Sequence, residues 1–472
     1  MRYETVIGLE VHVELKTKSK IFCACSAEFG GEPNTHTCPV CLGLPGTLPT
    51  LNRKAVELGV RAGLAAGCEI SHFSRFDRKN YFYPDLPKAY QISQLYLPLC
   101  KSGSITLSDG KTIRIKEMHL EEDAGKLMHS PSGNSTLIDY NRCGVPLLEI
   151  VSEPDMSSAE EAAEYLEKLR ELMQFTGVSD CKMQEGSLRA DINVSVRPEG
   201  SSTLGERTEM KNLNSFSAAV RAIKAESERQ IELLEKGERI VRQTRRWDDS
   251  TWVSYPMRSK EDASDYKYFP EPDLPPIVLD DCDIERIRSA MPELPDEKRS
   301  RFAEMGLSDT DIATLFGSPY TCELFERTAA LCGNVREAAA WITVELPAVL
   351  RDSGLTADTT EFDTDSVGKL INMLLGGKIS RTAAKKVFKK LVTENAEPET
   401  YVREHSLGLI TDSSTVLSAA KKVIAENEKS VLQYKNGKTQ AFQFLIGQCM
   451  RALGGKASAQ AVSDALHEVL GD

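Results

Sequence analysis

The chain has 472 residues, of which 41% are hydrophobic and 27% are charged, and its formal net charge is −12. This length predicts about three domains of roughly 150 residues, and the acidic balance excludes a uniformly basic nucleic-acid-binding coat but not a local basic face. No apolar run approaches the roughly 20 residues that a membrane helix needs. The 12 cysteines are scattered, and the N-terminal residues lack a leader pattern, so we expect a cytoplasmic protein with reduced thiols.

Residues 5–15 alternate between apolar and polar or small side chains, which predicts a half-buried β-strand. Glu10, His12 and Glu14 then share one face of that strand. Two carboxylates and an imidazole can hold a hard cation if this face lines a cleft. The alternative is ordinary solvated sheet surface, which is the commoner situation for any single strand.

Two closely spaced cysteine pairs follow the first strand, Cys23 with Cys25 and Cys38 with Cys41. Four thiolates from two such pairs can surround one tetrahedral zinc ion. The alternatives are four unrelated thiols, or a site in which His36 replaces one ligand. Because four protein ligands would close the coordination sphere, we interpret the site as structural.

The irregular segment 76–88 combines cations, aromatic residues and prolines. Arg78 and Lys79 could hold phosphate, and Tyr81 could stack on a nucleotide base. An aromatic-anchored loop without ligand explains the same composition equally well.

Further strands are predicted at 112–120, 136–151 and 186–197, and helices at 52–66, from about 158 to Gly177, and at 217–236. Because strands and helices do not alternate strictly, we predict an α+β domain with a mixed or antiparallel sheet rather than a doubly wound one. Acids recur at strands or strand ends, at Glu122, Glu149, Asp191 and Glu209.

Glu149 interrupts the apolar run 146–151, where an unpaired buried carboxylate would be unstable, so it needs a partner or a metal ion. Each of the other acids alone is compatible with a structural role. Together with Glu10 and His12, however, they would suffice to hold Mg²⁺ with substrate phosphates. The sequence contains neither a Walker A loop nor a G-x-G-x-x-G motif, so any ATP would be held by metal and lysine.

Prolines between 270 and 295 indicate a domain boundary near 292, and the composition becomes helical beyond it. We predict a catalytic domain over 1–292 with a zinc-knuckle insertion at 23–41, a helical domain over 293–407 and a helical tail over 408–472. Residues 421–456 carry seven basic and two acidic side chains. This excess favours contact with the backbone of a structured RNA, with plain solvated helix surface as the alternative.

Eight segments of the chain together resemble one family, the B subunits of bacterial-type aspartyl/glutamyl-tRNA(Asn/Gln) amidotransferases. They are 6–13 (VIGLEVHV), 76–84 (FDRKNYFYP), 119–126 (HLEEDAGK), 144–155 (GVPLLEIVSEPD), 185–189 (EGSLR), 211–216 (KNLNSF), 265–275 (DYKYFPEPDLP) and 444–448 (FLIGQ). The resemblance spans nearly the whole chain. It implies a cradle-shaped α+β catalytic domain, a helical domain and a small tail that contacts tRNA.

The resemblance also implies a reaction, the ATP-dependent amidation of glutamate or aspartate that is esterified to tRNA. This subunit would phosphorylate the side-chain carboxylate. Ammonia released from glutamine on a glutaminase A subunit would then displace phosphate, in a complex that includes a small C subunit.

By the same resemblance, His12, Glu122 and Glu149 would hold one metal ion. Glu10, Asp191 and Glu209 would hold a second, ATP-linked Mg²⁺, Lys79 would contact phosphate, and the four cysteines would hold structural Zn²⁺. Two alternative hypotheses for the function are a zinc-stapled RNA-binding scaffold without catalysis and a metal-dependent hydrolase. The segments do not distinguish Glu-tRNA from Asp-tRNA as substrate.

Overall fold

The structure is a computed structural model that describes residues 2–130, 133, 135–257, 266–355, 360, 362–410 and 412–471. Asp265, in one of the segments quoted above, lies outside these residues. Contacts divide the chain into two compact units, Met1–Glu297 and Lys298–Asp472. The first combines sheet and helices and the second is helical where it is described, which confirms the predicted fold class. The three-domain division stays a prediction.

Strands are confined to the first unit in the described part of the chain. They are β1 (Tyr3–Glu14), β2 (Glu69–Ile70), β3 (Phe73–Ser74), β4 (Asp77–Asn80), β5 (Tyr90–Ser93), β6 (Cys100–Thr106), β7 (Thr112–Glu122), β8 (Lys126–His129), β9 (Thr136–Asp139), β10 (Pro146–Ser152), β11 (Leu188–Pro198), β12 (Thr208–Lys211), β13 (Gln243–Asp248), β14 (Val253–Pro256), β15 (Phe269–Pro270) and β16 (Ile277–Val278).

The helices of the first unit are α1 (Arg53–Ala65), α2 (Ala159–Phe175), α3 (Phe216–Glu235) and α4 (Asp281–Ser289), and α5 (Pro295–Glu304) crosses the division between the units. The second unit contains α6 (Asp309–Leu315), α7 (Pro319–Cys332), α8 (Val335–Ala340), a π-helical turn (Trp341–Glu345), α9 (Leu346–Ser353), α10 (Thr364–Leu375), α11 (Arg381–Glu394), α12 (Pro398–Glu404), α13 (Ser413–Glu426), α14 (Glu428–Lys435), α15 (Thr439–Ala452) and α16 (Ala459–Leu470).

The main sheet has nine strands within the described residues, in the order β14-β13-β12-β11-β1-β10-β7-β6-β2. Its strand pairs are antiparallel except for the parallel pair of β12 with β13. β1 is central and pairs with β10 on one side and β11 on the other. Because β1 is central, its polar face meets residues from both neighbouring strands.

The opposite face of β1 belongs to the core. Ile7, Leu9, Val11 and Val13 are buried there with apolar residues of α1, α2 and α3. The three helices begin at or within one residue of the predicted positions. Asn52, Ser158 and Ser215 cap them by accepting hydrogen bonds from backbone N–H groups of the first turns. The sheet is thereby covered by helices on its apolar face.

The predicted strand at 136–151 is wrong in extent, because it consists of β9 and β10 separated by a turn. Backbone hydrogen bonds from Cys143 N to Tyr140 O and from Val145 N to Arg142 O close that turn. Gly144 has a φ of +83° there, a conformation that glycine adopts readily.

The last helices have a core of their own. It includes Val416 and Ala420 of α13, Leu445 of α15, and Val462 and Leu466 of α16. The described part of the predicted helical tail consists of α13, α14, α15 and α16.

Candidate active site and metal centres

The polar face of β1 is where the predicted site residues meet. In the strand register, Glu10 lies opposite Asp191 of β11, and His12 lies opposite Glu149 of β10. Directly opposed residues of antiparallel strands have Cβ atoms about 5 Å apart. Residues that are more than 130 positions apart in the chain are therefore brought into side-chain contact.

The first cluster consists of His12, Glu121 and Glu149, which each offer a ligand atom within 4.8 Å of the others. His12 Nε2 lies 3.4 Å from Glu149 Oε2 and 3.8 Å from Glu121 Oε1. His119 adjoins the cluster, with its Nε2 3.2 Å from Glu149 Oε2 and 3.8 Å from Glu121 Oε2. Glu149 thus has the charged partners that its apolar surroundings require.

The imidazoles and carboxylates of the first cluster shift one another's pKa values. Burial by itself lowers the pKa of both imidazoles, but Glu149 and Glu121 outweigh it, raising the pKa of His12 and bringing that of His119 to about 10. Burial opposes ionisation of Glu149 as well, yet the charge of His119 and the bonds to both imidazoles hold the pKa of Glu149 well below its usual value. Positive charge is therefore favoured between these carboxylates. A divalent cation bound to Glu121, Glu149 and deprotonated His12 would supply that charge in place of the imidazolium proton.

Glu122, expected among the ligands of this cluster, is not part of it. It follows Glu121 on β7 and its side chain therefore leaves the opposite face of the sheet. Glu122 Oε1 accepts hydrogen bonds from Lys88 Nζ at 2.5 Å and from Ile92 N at 2.9 Å. Glu121, and not Glu122, is the member of this cluster, because successive residues of a strand point to opposite faces of the sheet.

Sequence reasoning missed both Glu121 and His119. The signal that could have found them is the alternation of β7, continued two residues beyond the predicted strand end at 120. His119 and Glu121 are two residues apart and share a face, and Glu149 lies directly opposite His119.

The second cluster unites the three predicted residues Glu10, Asp191 and Glu209, again with ligand atoms within 4.8 Å of one another. Asn193 Nδ2 donates to Glu10 Oε1 at 3.0 Å, and Thr244 Oγ1 donates to Glu209 Oε2 at 2.7 Å. Burial, followed by the charge of Glu149, raises the pKa of Glu10. Three carboxylate donors of this kind fit a hard cation such as Mg²⁺.

Lys211 already places positive charge in the second cluster. Its Nζ lies 2.5 Å from Asp191 Oδ2 and 2.9 Å from Glu209 Oε1. Although burial acts in the opposite direction, the charges of Asp191 and Glu209 raise the pKa of Lys211. The ammonium group stands where a bound cation would contact these two carboxylates.

Lys79 and Arg78 are neighbours on β4 with different surroundings. Burial opposes the charge of Lys79, but the charges of Glu121, Tyr268 and Glu149 raise its pKa, so Lys79 lies within electrostatic reach of the first cluster. Lys79 Nζ also lies 5.9 Å from the ring centre of Tyr81. Tyr81 is in turn 5.7 Å from Tyr266 in an edge-to-face arrangement.

Arg78 is committed to ion pairs instead. Its Nε donates to Glu271 at 2.7 Å, its Nη2 donates to Asp273 at 2.9 Å, and its guanidinium lies 4.4 Å from the ring centre of Tyr90. These contacts link β4 to the segment around β15 and give Arg78 a structural role, and its contact with phosphate stays a prediction.

Comparison with known proteins shows the family to which the chain belongs. Residues 5–285 match the family of the GatB/GatE catalytic domain, and residues 323–470 match the GatB domain family. The chain is 53% identical to the B subunit of the aspartyl/glutamyl-tRNA(Asn/Gln) amidotransferase of Lachnoclostridium phytofermentans, over 99% of both chains. It is 54% identical to the B subunit of the amidotransferase of the same name from Caldicellulosiruptor bescii, over 100% of this chain and 99% of that one.

The chain belongs to the family of amidotransferase B subunits. The resemblance inferred from the eight sequence segments is thereby confirmed, as is the assignment to an amidotransferase. The cluster residues of both candidate metal sites lie within the part of the chain that matches the catalytic domain.

This member of the family also has the predicted thiol cluster. Cys23, Cys25, Cys38 and Cys41 have sulfur atoms within 4.8 Å of one another, and all four are free thiols. His36 is not a member of the group. Four thiol donors in this arrangement fit a tetrahedral metal ion, and zinc is the metal that such sites usually bind.

A buried lysine supports the thiol cluster. The side chain of Lys20 is fully buried, and its Nζ lies 3.7 Å from Cys41 Sγ and 3.2 Å from Tyr140 O. Hydrogen bonding from Cys23, together with the charge of Lys20, lowers the pKa of Cys41. The surroundings of Cys41 therefore favour its thiolate, whereas the bond to Cys41 raises the pKa of Cys23 and burial raises that of Cys25.

Glu14, the third polar residue predicted on the first strand, belongs to neither metal cluster. Arg189 Nη1 lies 3.4 Å from its Oε1 and 2.9 Å from Asp123 Oδ2. Burial and the nearby Asp123 raise the pKa of Glu14 to about 8.

Among the helices that the structure describes, none combines the length and apolar character that crossing a membrane requires.

Proposed function

We propose that this chain is the subunit of a tRNA-dependent amidotransferase that activates the substrate carboxylate. It uses ATP to phosphorylate the side chain of glutamate on tRNA(Gln), of aspartate on tRNA(Asn), or of both. Ammonia delivered from a glutaminase A subunit then displaces the phosphate. The active enzyme includes a small C subunit.

The observation that carries this proposal is the adjacency of two cation-binding clusters on one sheet face. Glu10 of the second cluster and His12 of the first are two residues apart on β1, a separation of about 6.6 Å along a strand. Lys79 adds a cation beside the first cluster. Phosphoryl transfer between two anions needs this concentration of positive charge, because the attacking carboxylate and the triphosphate repel each other.

A groove beside Glu10 has the size for a nucleotide and contains two arginines, although Glu10 and Glu206 also line it. Its volume is about 410 Å³, and its lining includes Gly8, Glu10, Arg207 and Arg242. Volumes of this order are typical of small-molecule sites. The two arginines supply charge for phosphate oxygens in a chain that lacks a Walker A loop.

The residues have distinct roles in the proposed reaction. His12, Glu121 and Glu149 hold one Mg²⁺, and Glu10, Asp191 and Glu209 hold the Mg²⁺ of the nucleotide. The metal ions supply charge neutralisation when bound. Lys79 orients a phosphate or carboxylate oxygen, and His119 holds Glu149 in position. Zn²⁺ on the four cysteines stabilises the neighbouring loop.

The tail provides a surface for tRNA. Lys421, Lys422, Lys429 and Lys435 are exposed on α13 and α14. An exposed basic face of helices favours contacts with the phosphate backbone over reading of base edges.

The experiment is amide formation by the reconstituted complex with misacylated tRNA, ATP and glutamine. We expect E10Q and H12A to lower the rate of amide formation by about 10²-fold or more, since each removes a ligand where charge develops. E160Q is the matched control, because Glu160 is an exposed acid paired with Lys224 on the helical layer.

Rates equal to the unmutated enzyme in E10Q and H12A would refute the proposed site. A reaction that proceeds without ATP would instead favour a metal-dependent hydrolase. The scaffold alternative is not favoured, because a scaffold has no need to gather His12, Glu121 and Glu149 in a half-buried cluster.

A further inference from the structure

Lys211 is the least expected member of the second cluster, because a lysine competes with a metal ion for the same carboxylates. Its ammonium contacts Asp191 and Glu209 at 2.5 and 2.9 Å, whereas Glu10 is held by Asn193. Two of the three carboxylates are therefore occupied by a cation that belongs to the chain itself. The ammonium stands in for the metal ion at this site.

The strand geometry fixes the backbone of Lys211 but leaves its ammonium free to move. Lys211 and Glu209 are two residues apart on β12 and share a face, and Asn212 after them is held by a hydrogen bond from its Nδ2 to Trp247 O at 3.1 Å. The Lys211 side chain is 37% exposed. A four-carbon stem that reaches solvent can swing away while the carboxylates remain in the sheet.

The charge of the incoming ligand determines whether the Lys211 ammonium leaves Asp191 and Glu209. With Lys211 in place the three carboxylates are partly neutralised, and a divalent ion entering alone would meet the ammonium at contact distance. A metal ion that arrives bound to a polyphosphate brings negative charge with it. The displaced ammonium then has phosphate oxygens to pair with, so the loss of its carboxylate partners is offset.

We infer that Lys211 makes metal binding at the Glu10/Asp191/Glu209 cluster dependent on nucleotide. Lys211 excludes the free cation, and it exchanges its carboxylate partners for phosphate when a metal–nucleotide complex binds. This inference rests on the second metal site of the proposed function. It assigns Lys211 as a positioning residue that couples two ligands.

The test is a titration of the full-length chain with Mn²⁺, in which free Mn²⁺ is counted by electron paramagnetic resonance with and without a non-hydrolysable ATP analogue. We expect K211M and the second uncharged variant K211Q to bind Mn²⁺ at this cluster about tenfold more tightly without nucleotide. This is a modest share of what one unit charge at contact distance contributes at a partly exposed site. The additional Mn²⁺ must be lost in the K211M/E10Q double variant.

Two controls separate charge from side-chain loss. K211R keeps the cation and should behave as the unmutated chain, and K236M removes an exposed lysine that pairs with Glu232 on the surface of α3. Thermal unfolding of each variant shows whether the fold is retained.

The outcomes distinguish this inference from the proposed function. If nucleotide-dependent Mn²⁺ binding requires Glu10 but K211M and K211Q bind free Mn²⁺ no more tightly than the unmutated chain, the role of Lys211 is refuted and the proposed function stands. If E10Q has no effect on Mn²⁺ binding in the presence of nucleotide, the second metal site is refuted, and so is the inference that depends on it.

Discussion

At the scale of single residues, the adjacent acids Glu121 and Glu122 have opposite environments. Glu121 faces His12 and Glu149, whereas Glu122 is buried on the other face with Lys88. Both are glutamates at the end of β7, and they differ only in the face of the sheet to which each side chain points. The two residues therefore provide a paired test of the site.

We expect E121Q to abolish most amide formation while the fold is retained, because it removes a carboxylate from the proposed metal site. The expected loss is about 10²-fold in kcat. E122Q should instead lower the free energy of unfolding by about 3 kcal/mol, since it leaves the buried Lys88 ammonium without its charged partner. Assays of amide formation and urea unfolding on both variants measure these effects. An E121Q enzyme with full activity would contradict the assignment.

Arg78 and Lys79 form a second pair at this scale. We expect K79M to impair catalysis with a small effect on stability, because the charge of Lys79 lies within electrostatic reach of the first cluster. R78K should lower the free energy of unfolding by about 1–2 kcal/mol and leave the KM for ATP unchanged, because lysine cannot reproduce the bidentate and stacked contacts of Arg78. A raised KM for ATP in R78K would show that Arg78 contacts phosphate.

At the scale of elements, the thiol cluster stabilises a segment with little regular structure. Residues 15–52 contain no described helix or strand between β1 and α1 apart from an isolated bridge of Ser19 with Ser26. A metal ion coordinated by the four cysteines would close this segment and restrict its unfolded conformations.

We expect the purified chain to contain one equivalent of zinc, measured by elemental analysis, and C38S to lose it. Loss of the metal should lower the melting temperature, because binding energy in such sites is folding energy. C282S is the control, since Cys282 is an exposed free cysteine on α4. An unchanged metal content in C38S would show that the thiols do not hold zinc.

At the scale of the whole molecule, catalysis and tRNA contact are assigned to different parts of the chain. The candidate metal clusters and the groove proposed for the nucleotide belong to Met1–Glu297, and the exposed lysines of α13 and α14 belong to Lys298–Asp472. The helices after residue 412 have their own hydrophobic core, so substitutions on their surface can leave that core intact.

We expect deletion of the residues after about 408 to weaken tRNA binding and to reduce its dependence on salt. A variant with glutamine at Lys421, Lys422, Lys429 and Lys435 should have the same effect without deletion. Each phosphate contact that is lost lowers the slope of log K against log salt by about 0.7–0.9. Binding assays over a range of salt concentrations measure the slope, and an unchanged slope would refute the basic face.

Much of the site was accessible from the sequence, for local reasons. Strict alternation placed Glu10 and His12 on one face of β1, the cysteine spacing predicted the thiol cluster, and capping residues marked where helices begin. The strand pattern also singled out Glu149, Asp191 and Glu209, the family resemblance divided them between two metal ions, and the structure brings all three to that face.

The sequence by itself determined which side chains share a face, because the period of a strand is a local property of the backbone. Only the tertiary structure decided the partners across strands: Glu121 instead of Glu122, the ion pairs of Arg78, and the ammonium of Lys211 between Asp191 and Glu209. Register between strands that are far apart in the chain depends on how the whole core packs. A shift of one residue exchanges the two faces, so adjacent residues stay equivalent until the sheet has formed.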